Sequence, residues 1–155
     1  MSKLVRLHEA AIAPEEGTLE FVRVLGNTTG SHVLGAKESP YGDLETFDVE
    51  AVALHSAIRN ADLVKMDVEG LEAVLLEKLT ASDLANTDIL CEVGTKVNAE
   101  RIWSHFKDTG LNLFSQKIGW RKSRVASDIP TSYREGSLFV SVRDEMPWQP
   151  TGDHR

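Results

Sequence analysis

Cysteine is almost absent from this 155-residue chain, which contains only Cys91. A single cysteine excludes an intrachain disulfide and a cysteine-rich metal site. The apolar neighbours Ile89 and Leu90 favour a buried Cys91 over a nucleophile. No apolar run is long enough for a transmembrane helix, and the segment Met1 to His8 lacks the apolar core of a signal peptide. We therefore expect a cytoplasmic protein with no membrane partner.

Basic residues are also few, since 17 Lys and Arg stand against 24 Asp and Glu. The formal net charge of −7 argues against a general nucleic-acid surface, which needs an excess of cations to neutralise phosphates. The hydrophobic share of 41% is typical of a globular protein. From the length we expect one domain over residues 1–146. The segment 147–155, which contains Pro150 and Gly152, is expected to be a disordered tail.

Apolar periodicity predicts a chain in which strands alternate with helices. Strands are predicted at 4–12, 18–25, 47–52, 61–68, 88–93, 111–118 and 136–142. Helices are predicted at 51–58, at 71–79 and at 98–108, the last with Asn98 as its N-cap. Successive strand, helix and strand passages favour parallel pairing, so the predicted class is α/β with a mostly parallel sheet. The last two strands are expected to form an antiparallel hairpin at one edge.

Acidic residues stand where two of the predicted parallel strands end. Asp67 and Glu69 close one strand, and Glu92 closes the next. The carboxyl ends of neighbouring parallel strands meet at one rim, so three carboxylates are expected there. Strand alternation places Lys65 on the same face as Asp67 and Glu69. Two interpretations fit this spacing equally: a functional carboxylate site, or carboxylates that cap the next helix with Lys65 as a neutralising partner.

A known family has the same pattern. The run Lys65-Met66-Asp67-Val68-Glu69-Gly70-Leu71-Glu72 resembles the K-[ILM]-D-[VI]-E-G-x-E signature of the FkbM family of S-adenosylmethionine-dependent methyltransferases. It follows Asp62-Leu63-Val64 and precedes a leucine-rich helix and Cys91-Glu92-Val93, as in that family. Upstream, Ala10-Ala11-Ile12 and Gly17-Thr18-Leu19-Glu20-Phe21 resemble a further family passage. The resemblance covers nearly the whole chain.

The resemblance implies a Rossmann-like class I methyltransferase sheet of strand order 3-2-1-4-5-7-6. It implies S-adenosylmethionine as donor and an oxygen of a sugar or small metabolite as acceptor. Members of the family begin with a strand and a glycine-rich turn that binds the donor, and then a strand with an acid for the ribose. Neither pattern occurs in this sequence, so we expect a truncated domain that starts at the third strand. Weak donor binding and little activity of the chain alone are expected.

By the same resemblance, Asp67 is the first candidate for a base or a metal-anchoring carboxylate near the acceptor. Glu69 and Glu92 are the next candidates, and Lys65 would hold Asp67 ionised. Mg²⁺ is compatible with carboxylate oxygens, although no residue is assigned as a metal ligand.

Contacts to the donor are expected elsewhere in the chain. The resemblance places Glu9 and Ala11, at the end of the 4–12 strand, where the adenine would lie, with Asp67 as a further cofactor contact.

Two other functions stay open at this point. The strand 61–68 lacks its usual neighbour, so the chain would form a homodimer or bind a partner chain through that strand, as a non-catalytic remnant or interaction module. Alternatively, Asp67, Glu69 and Glu92 would hold a metal for hydrolysis. Separately, Trp120-Arg121-Lys122 and Arg124 either contact an anionic acceptor or form a solvated loop.

Overall fold

The structure, a computed structural model, describes residues 4–25, 32–33, 43–68 and 70–148. The chain divides into two compact units, residues 1–57 and residues 58–155, and each unit has its own β-sheet. Within the described ranges, no helix has the length and apolar character needed to cross a membrane.

The first unit is built on a four-stranded sheet. Its strands are β1 (Ala11–Ala13), β2 (Gly17–Val24), β3 (His32–Val33) and β4 (Leu44–Ala53), in the order β1-β4-β2-β3. The long strands β2 and β4 pair antiparallel along their whole shared length, whereas β1 runs parallel to β4. The short helix α1 (Leu54–Ile58) follows β4 directly. The predicted strands at 18–25 and 47–52 are confirmed, and β4 is longer than predicted at both ends.

The predicted strand at 4–12 is mostly wrong. Only Ala11–Ala13 is a strand, and Leu4, Val5 and Leu7 lie exposed before it. Strand backbone needs a hydrogen-bonding neighbour for its N–H and C=O groups. In the first unit that neighbour is β4, whose register with β1 begins at Ala11 opposite Ala51. Residues 4–10 form no pairing with β4, although β4 continues from Ala51 back to Leu44, so apolar alternation alone does not make a strand there.

The second unit is a five-stranded sheet with two helices. In chain order its elements are β5 (Leu63–Met66), α2 (Glu72–Leu76), β6 (Asp88–Glu92), α3 (Lys96–Phe106), β7 (Asn112–Ser115), β8 (Arg121–Lys122) and β9 (Ser137–Ser141). The strand order is β5-β6-β9-β7-β8. β5 pairs parallel with β6, and the other three pairs are antiparallel. Three of the five strands, β5, β6 and β7, thus run in one direction, and the α/β class is confirmed with mixed sheets.

The position of β9 differs from the prediction. The expected antiparallel pairing of the last two strands is confirmed for β7 and β9, but β9 lies between β6 and β7 rather than at an edge. Leu138, Phe139 and Val140 are all completely buried, on both faces of the sheet. Three successive apolar residues suit a central strand better than an edge strand, because burial of apolar surface stabilises the fold in proportion to its area.

Both helices of the second unit begin and end at residues that differ from the prediction. The helix predicted at 71–79 shortens to Glu72–Leu76, although Leu79 is still buried. The helix predicted to start after Asn98 begins at Lys96, with Thr95 as its N-cap. The Thr95 hydroxyl accepts a hydrogen bond from the Asn98 backbone N–H at 3.1 Å. Thr95 satisfies the free N–H groups of the first turn, which leaves the Asn98 side chain available for another contact.

A paired carboxylate and guanidinium join the segment after α2 to α3. Arg101 donates through Nε to Glu77 Oε1 at 2.9 Å and through Nη2 to Glu77 Oε2. The hydrogen bond from Arg101 lowers the pKa of the Glu77 carboxyl below its usual value of 4.5, and partial burial opposes that shift. The bidentate geometry fixes the relative position of the two helices more firmly than a single contact would.

The depressed pKa predicts how stability depends on pH. Above pH 4.5 Glu77 is ionised in the folded and unfolded states, so its pairing contributes fully, and the contribution disappears as pH falls through the lower folded-state pKa. We expect Glu77→Gln to lower the free energy of unfolding by about 0.5–1 kcal/mol at pH 7, and by less at pH 3. Urea unfolding at both pH values measures the difference. Asp108→Asn, at an exposed and distant ion pair, is the control. An equal loss for Glu77→Gln at both pH values contradicts the assignment.

Candidate functional site

The carboxyl ends of β5 and β6 bring two of the predicted site residues together. The Lys65 ammonium lies 3.4 Å from Glu92 Oε1. Lys65 is opposite Leu90 in the parallel register, and Leu90 and Glu92 share a face by strand alternation, so both charged side chains project from one face. Their side chains are 48% and 40% exposed. An ion pair so open to water contributes little to stability, and its charges are accessible to a ligand.

The two remaining acids of the predicted site follow β5. Asp67 comes directly after the strand and is exposed. Glu69 lies outside the described residues, so its predicted role stays a prediction. The ion pair that Lys65 makes is with Glu92, across the strand pair, and Lys65 also donates to the Met66 carbonyl oxygen at 3.4 Å.

A buried carboxylate holds the turn that follows these residues. Glu72 is only 3% exposed, and it accepts hydrogen bonds from the Gly70 N–H at 3.0 Å and from Asn98 Nδ2 at 3.2 Å. Asn98 Nδ2 also donates to the Gly70 carbonyl oxygen at 2.9 Å. Gly70 has φ 104°, a backbone conformation that side chains disfavour. The three residues form a closed hydrogen-bonded group, which we call the Gly70 clamp.

The Gly70 clamp was not predicted from the sequence. The sequence presents Glu72 only as the last residue of the signature, and it predicts Asn98 as a helix cap. A signal was present, however. Asn98 stands at the head of the stripe Asn98, Ile102 and Phe106, whose spacing of four residues is that of one helix face. A polar side chain on an otherwise buried stripe needs a buried hydrogen-bonding partner, and Glu72 is that partner.

Cys91 lies on β6 between these groups and is completely buried. Burial, together with the nearby Glu72 carboxylate, raises the pKa of the Cys91 thiol to about 12. The thiol is therefore protonated at neutral pH, whereas nucleophilic attack requires the thiolate. The expectation of a buried, unreactive cysteine is confirmed.

The predicted adenine contacts belong to the first unit. Glu9 is exposed and precedes β1, and Ala11 is the first residue of β1, opposite Ala51. The prediction placed both near the carboxyl end of a strand, and this placement is wrong because the strand begins where the prediction has it nearly finished. Their role as cofactor contacts stays a prediction.

Metal binding finds no support in the described part of the chain. Over residues 4–25, 32–33, 43–68 and 70–148, no group of three or more His, Cys, Asp or Glu side chains is placed to hold a metal ion. Asp67 and Glu92 lie in this part of the chain, whereas Glu69 lies outside it. The hydrolase alternative gains nothing from the geometry.

The fit of a methyl donor can be judged from the turn after β5. A dinucleotide-like or nucleoside ligand at such a strand end is bound through free backbone N–H groups of a glycine turn. The Gly70 N–H is already bonded to Glu72. The Gly70 N–H is therefore not free for a donor, and the glycine-rich turn that the resemblance assigns to the donor follows a different strand, so this turn does not fit S-adenosylmethionine.

Comparisons with protein-family models, curated proteins and solved structures find no significant match for this chain. Function is therefore inferred from the residues and their geometry.

The Gly70 clamp predicts a specific loss of stability. Asn98→Ala removes the amide that donates to Glu72 and Gly70, and leaves a buried carboxylate short of a partner. We expect the free energy of unfolding to fall by about 1–3 kcal/mol, measured by urea unfolding at pH 7. Ser104→Ala, at an exposed position of the same helix, should change it by less than about 0.5 kcal/mol. Equal effects of the two variants would show that the Asn98 amide contributes nothing.

Proposed function

We propose that this chain forms the acceptor side of an S-adenosylmethionine-dependent methyltransferase of FkbM type, acting on a hydroxyl oxygen of a sugar or small metabolite. One observation carries the proposal. The order β5-β6-β9-β7 in the second unit equals the 4-5-7-6 part of the order 3-2-1-4-5-7-6 that the resemblance implies. The signature residues Lys65 to Glu72 then fall at the end of the strand-4 equivalent, where a parallel sheet carries its ligand site.

The edge position of β5 supports the same proposal. Within the described residues, β5 pairs with β6 alone, and its other side is the place of strand 1 in the implied order. Leu63, at the start of β5, is 55% exposed. An edge strand offers unpaired N–H and C=O groups to an additional strand. We assign this position to a strand of a separate polypeptide that carries the glycine-rich turn for the donor.

The chemistry of the acceptor side follows from three side chains. Methyl transfer to oxygen requires an acceptor hydroxyl that is held in place and loses its proton. Lys65 can donate a hydrogen bond to an acceptor oxygen, and Glu92 can accept one from a neighbouring hydroxyl. We assign the role of proton acceptor to Asp67, which is exposed and directly follows β5.

A second candidate function is a non-catalytic module that associates through β5. The open edge of β5 and the exposed Leu63 favour it equally, because pairing of strands requires no methyl donor. The two candidates differ in whether the completed assembly binds S-adenosylmethionine.

A complementation experiment separates these candidates. The chain is mixed with the donor-binding front half of an FkbM-type methyltransferase, expressed as a separate polypeptide, and S-adenosylmethionine binding is measured by calorimetry. The chain alone should bind the donor more weakly than the mixture by a few orders of magnitude, since two or three hydrogen bonds worth about 1.5–3 kcal/mol each are missing. A complex that forms but binds no donor leaves the non-catalytic module as the function. Failure to form any complex contradicts both candidates.

The role of Asp67 is tested in the same mixture. Asp67→Asn should lower the rate of methyl transfer by about 10²–10⁴-fold, the usual contribution of a general base, without lowering the melting temperature. Asp62→Asn is the matched control, because Asp62 is an exposed carboxylate beside the opposite end of β5. Equal rates for Asp67→Asn and the unsubstituted chain would remove Asp67 from the mechanism.

A further inference from the structure

A cavity of about 780 Å³ opens beside the turn that joins β7 to β8. Its lining includes Phe114, Trp120, Arg121, Lys122, Arg124 and Trp148. The cavity is separate from the Lys65 and Glu92 pair, because Lys65 is on the edge strand β5 and Lys122 is on the opposite edge strand β8. Four strand spacings, or roughly 19 Å, divide these two lysines. The acceptor site does not use this cavity.

Aromatic rings form one wall of the cavity. The Trp148 ring stands edge-on to the buried Phe139 ring, with centroids 4.8 Å apart, and edge-on to the Trp120 ring at 5.9 Å. Phe114 lies beneath, with its ring 6.2 Å from that of Phe139. Trp148 is 37% exposed and Trp120 is half-buried, so indole surface is open to a ligand. Such a wall suits a flat ring that can stack.

The backbone at Trp120 is held in a conformation that tryptophan disfavours. Trp120 has φ 60° and follows Gly119 at φ 72°, so two successive residues are left-handed. The Trp120 N–H donates to the Ser115 carbonyl oxygen at 2.8 Å, which fixes the turn. Glycine would adopt this conformation without strain, yet the chain has tryptophan there. Strained positions of this kind cluster at ligand sites, and here the strained residue presents its indole ring to the cavity.

Two arginines at the cavity have charge that no acid neutralises. Arg121 donates through Nε to the Ile118 carbonyl oxygen at 2.8 Å, which holds its guanidinium in place and leaves the terminal N–H groups free for a ligand. In the described part of the chain, neither Arg121 nor Arg124 forms an ion pair. The third cation, Lys122, has Asp144 as its partner at 3.9 Å.

The acids that line the cavity are mostly engaged. Asp144 has the Lys122 contact, and Asp128 Oδ2 accepts hydrogen bonds from the backbone N–H groups of Arg124 and Val125 at 2.8 and 3.2 Å. Glu145 remains as an exposed acid at the rim. The lining thus carries three cations and three acids, and the two arginines are its cations without an acid partner in the described part of the chain.

We propose that this cavity binds a nucleoside monophosphate, with the base stacked on Trp120 and the phosphate held by Arg121 and Arg124. A planar guanidinium group can donate two parallel hydrogen bonds to two phosphate oxygens. Every nucleobase has a flat face that can stack on a tryptophan ring. A nucleic-acid polymer is disfavoured because the chain has a net charge of −7, whereas a single phosphate needs only a local pair of cations. This ligand site is independent of the proposed methyltransferase function.

Tryptophan fluorescence tests the proposal. Two of the three tryptophans in the chain line this cavity, and Trp103 does not. Titration with AMP should quench the fluorescence at concentrations about tenfold or more below those needed for ribose 5-phosphate, which has the phosphate but no base, or for adenosine, which has the base but no phosphate. Equal affinity for AMP and ribose 5-phosphate overturns the stacking, equal affinity for AMP and adenosine overturns the phosphate contact, and no binding of AMP overturns the proposal.

Substitutions locate the site and separate binding from folding. Arg124→Gln should weaken AMP binding about tenfold or more and leave adenosine binding unchanged. Arg134→Gln is the matched control, since Arg134 lies over the Tyr133 ring and is not part of the lining. Equal weakening of AMP binding by both variants would mean that only the net charge of the protein matters, and would contradict the contact between Arg124 and the phosphate.

Trp120→Gly gives a second readout. It should leave the protein folded, because relief of the left-handed strain at residue 120 offsets part of the lost contact with the Trp148 ring, while abolishing AMP binding. Unchanged AMP affinity in this variant overturns the assignment of Trp120.

Discussion

The second unit depends on the burial of one carboxylate at the turn after β5. Glu72 is almost inaccessible to water, and a carboxylate in that position is tolerable only when donors surround it. The Gly70 N–H and the Asn98 amide supply them, and the same amide closes the group on the Gly70 carbonyl oxygen. These bonds join the end of β5 to the first turn of α3, so they fix where the chain leaves the sheet. The roles proposed for the exposed residues Lys65, Asp67 and Glu92 assume that the chain leaves β5 at this fixed position.

The clamp and the edge strand together explain why the site faces outward. The turn uses its glycine N–H internally, in the hydrogen bond to Glu72. The charged pair Lys65 and Glu92 stays half exposed at the ends of two parallel strands. Within the described residues, the other side of β5 has no strand paired to it, and in the proposed function an additional strand lies there. An exposed lysine and an unpaired strand edge thus both belong to β5.

Local pattern predicted the second unit better than the first. The apolar runs around Val64 and Ile89 gave the correct parallel pair, because a buried strand needs continuous apolar sequence. Apolar pattern did not predict which strands pair. The 4–12 run is unpaired for most of its length. The last strand, β9, lies in the centre of its sheet with both faces buried. Of the site, the sequence predicted that Lys65 and Glu92 stand at the ends of neighbouring strands, but it paired Lys65 with Asp67 and not with Glu92. The clamp was not predicted, since a contact between Glu72 and Asn98 depends on how α2 and α3 pack.

The claim that β5 is an edge strand is tested most directly by amide hydrogen exchange on the chain alone, resolved by residue with NMR. A strand bonded on one side protects alternate amides, so along Leu63–Met66 we expect slow and fast exchange to alternate. The central residues Leu138, Phe139 and Val140, bonded to strands on both sides, should all exchange slowly. Uniformly slow exchange along β5 would mean that its second side is already paired, and would contradict the account.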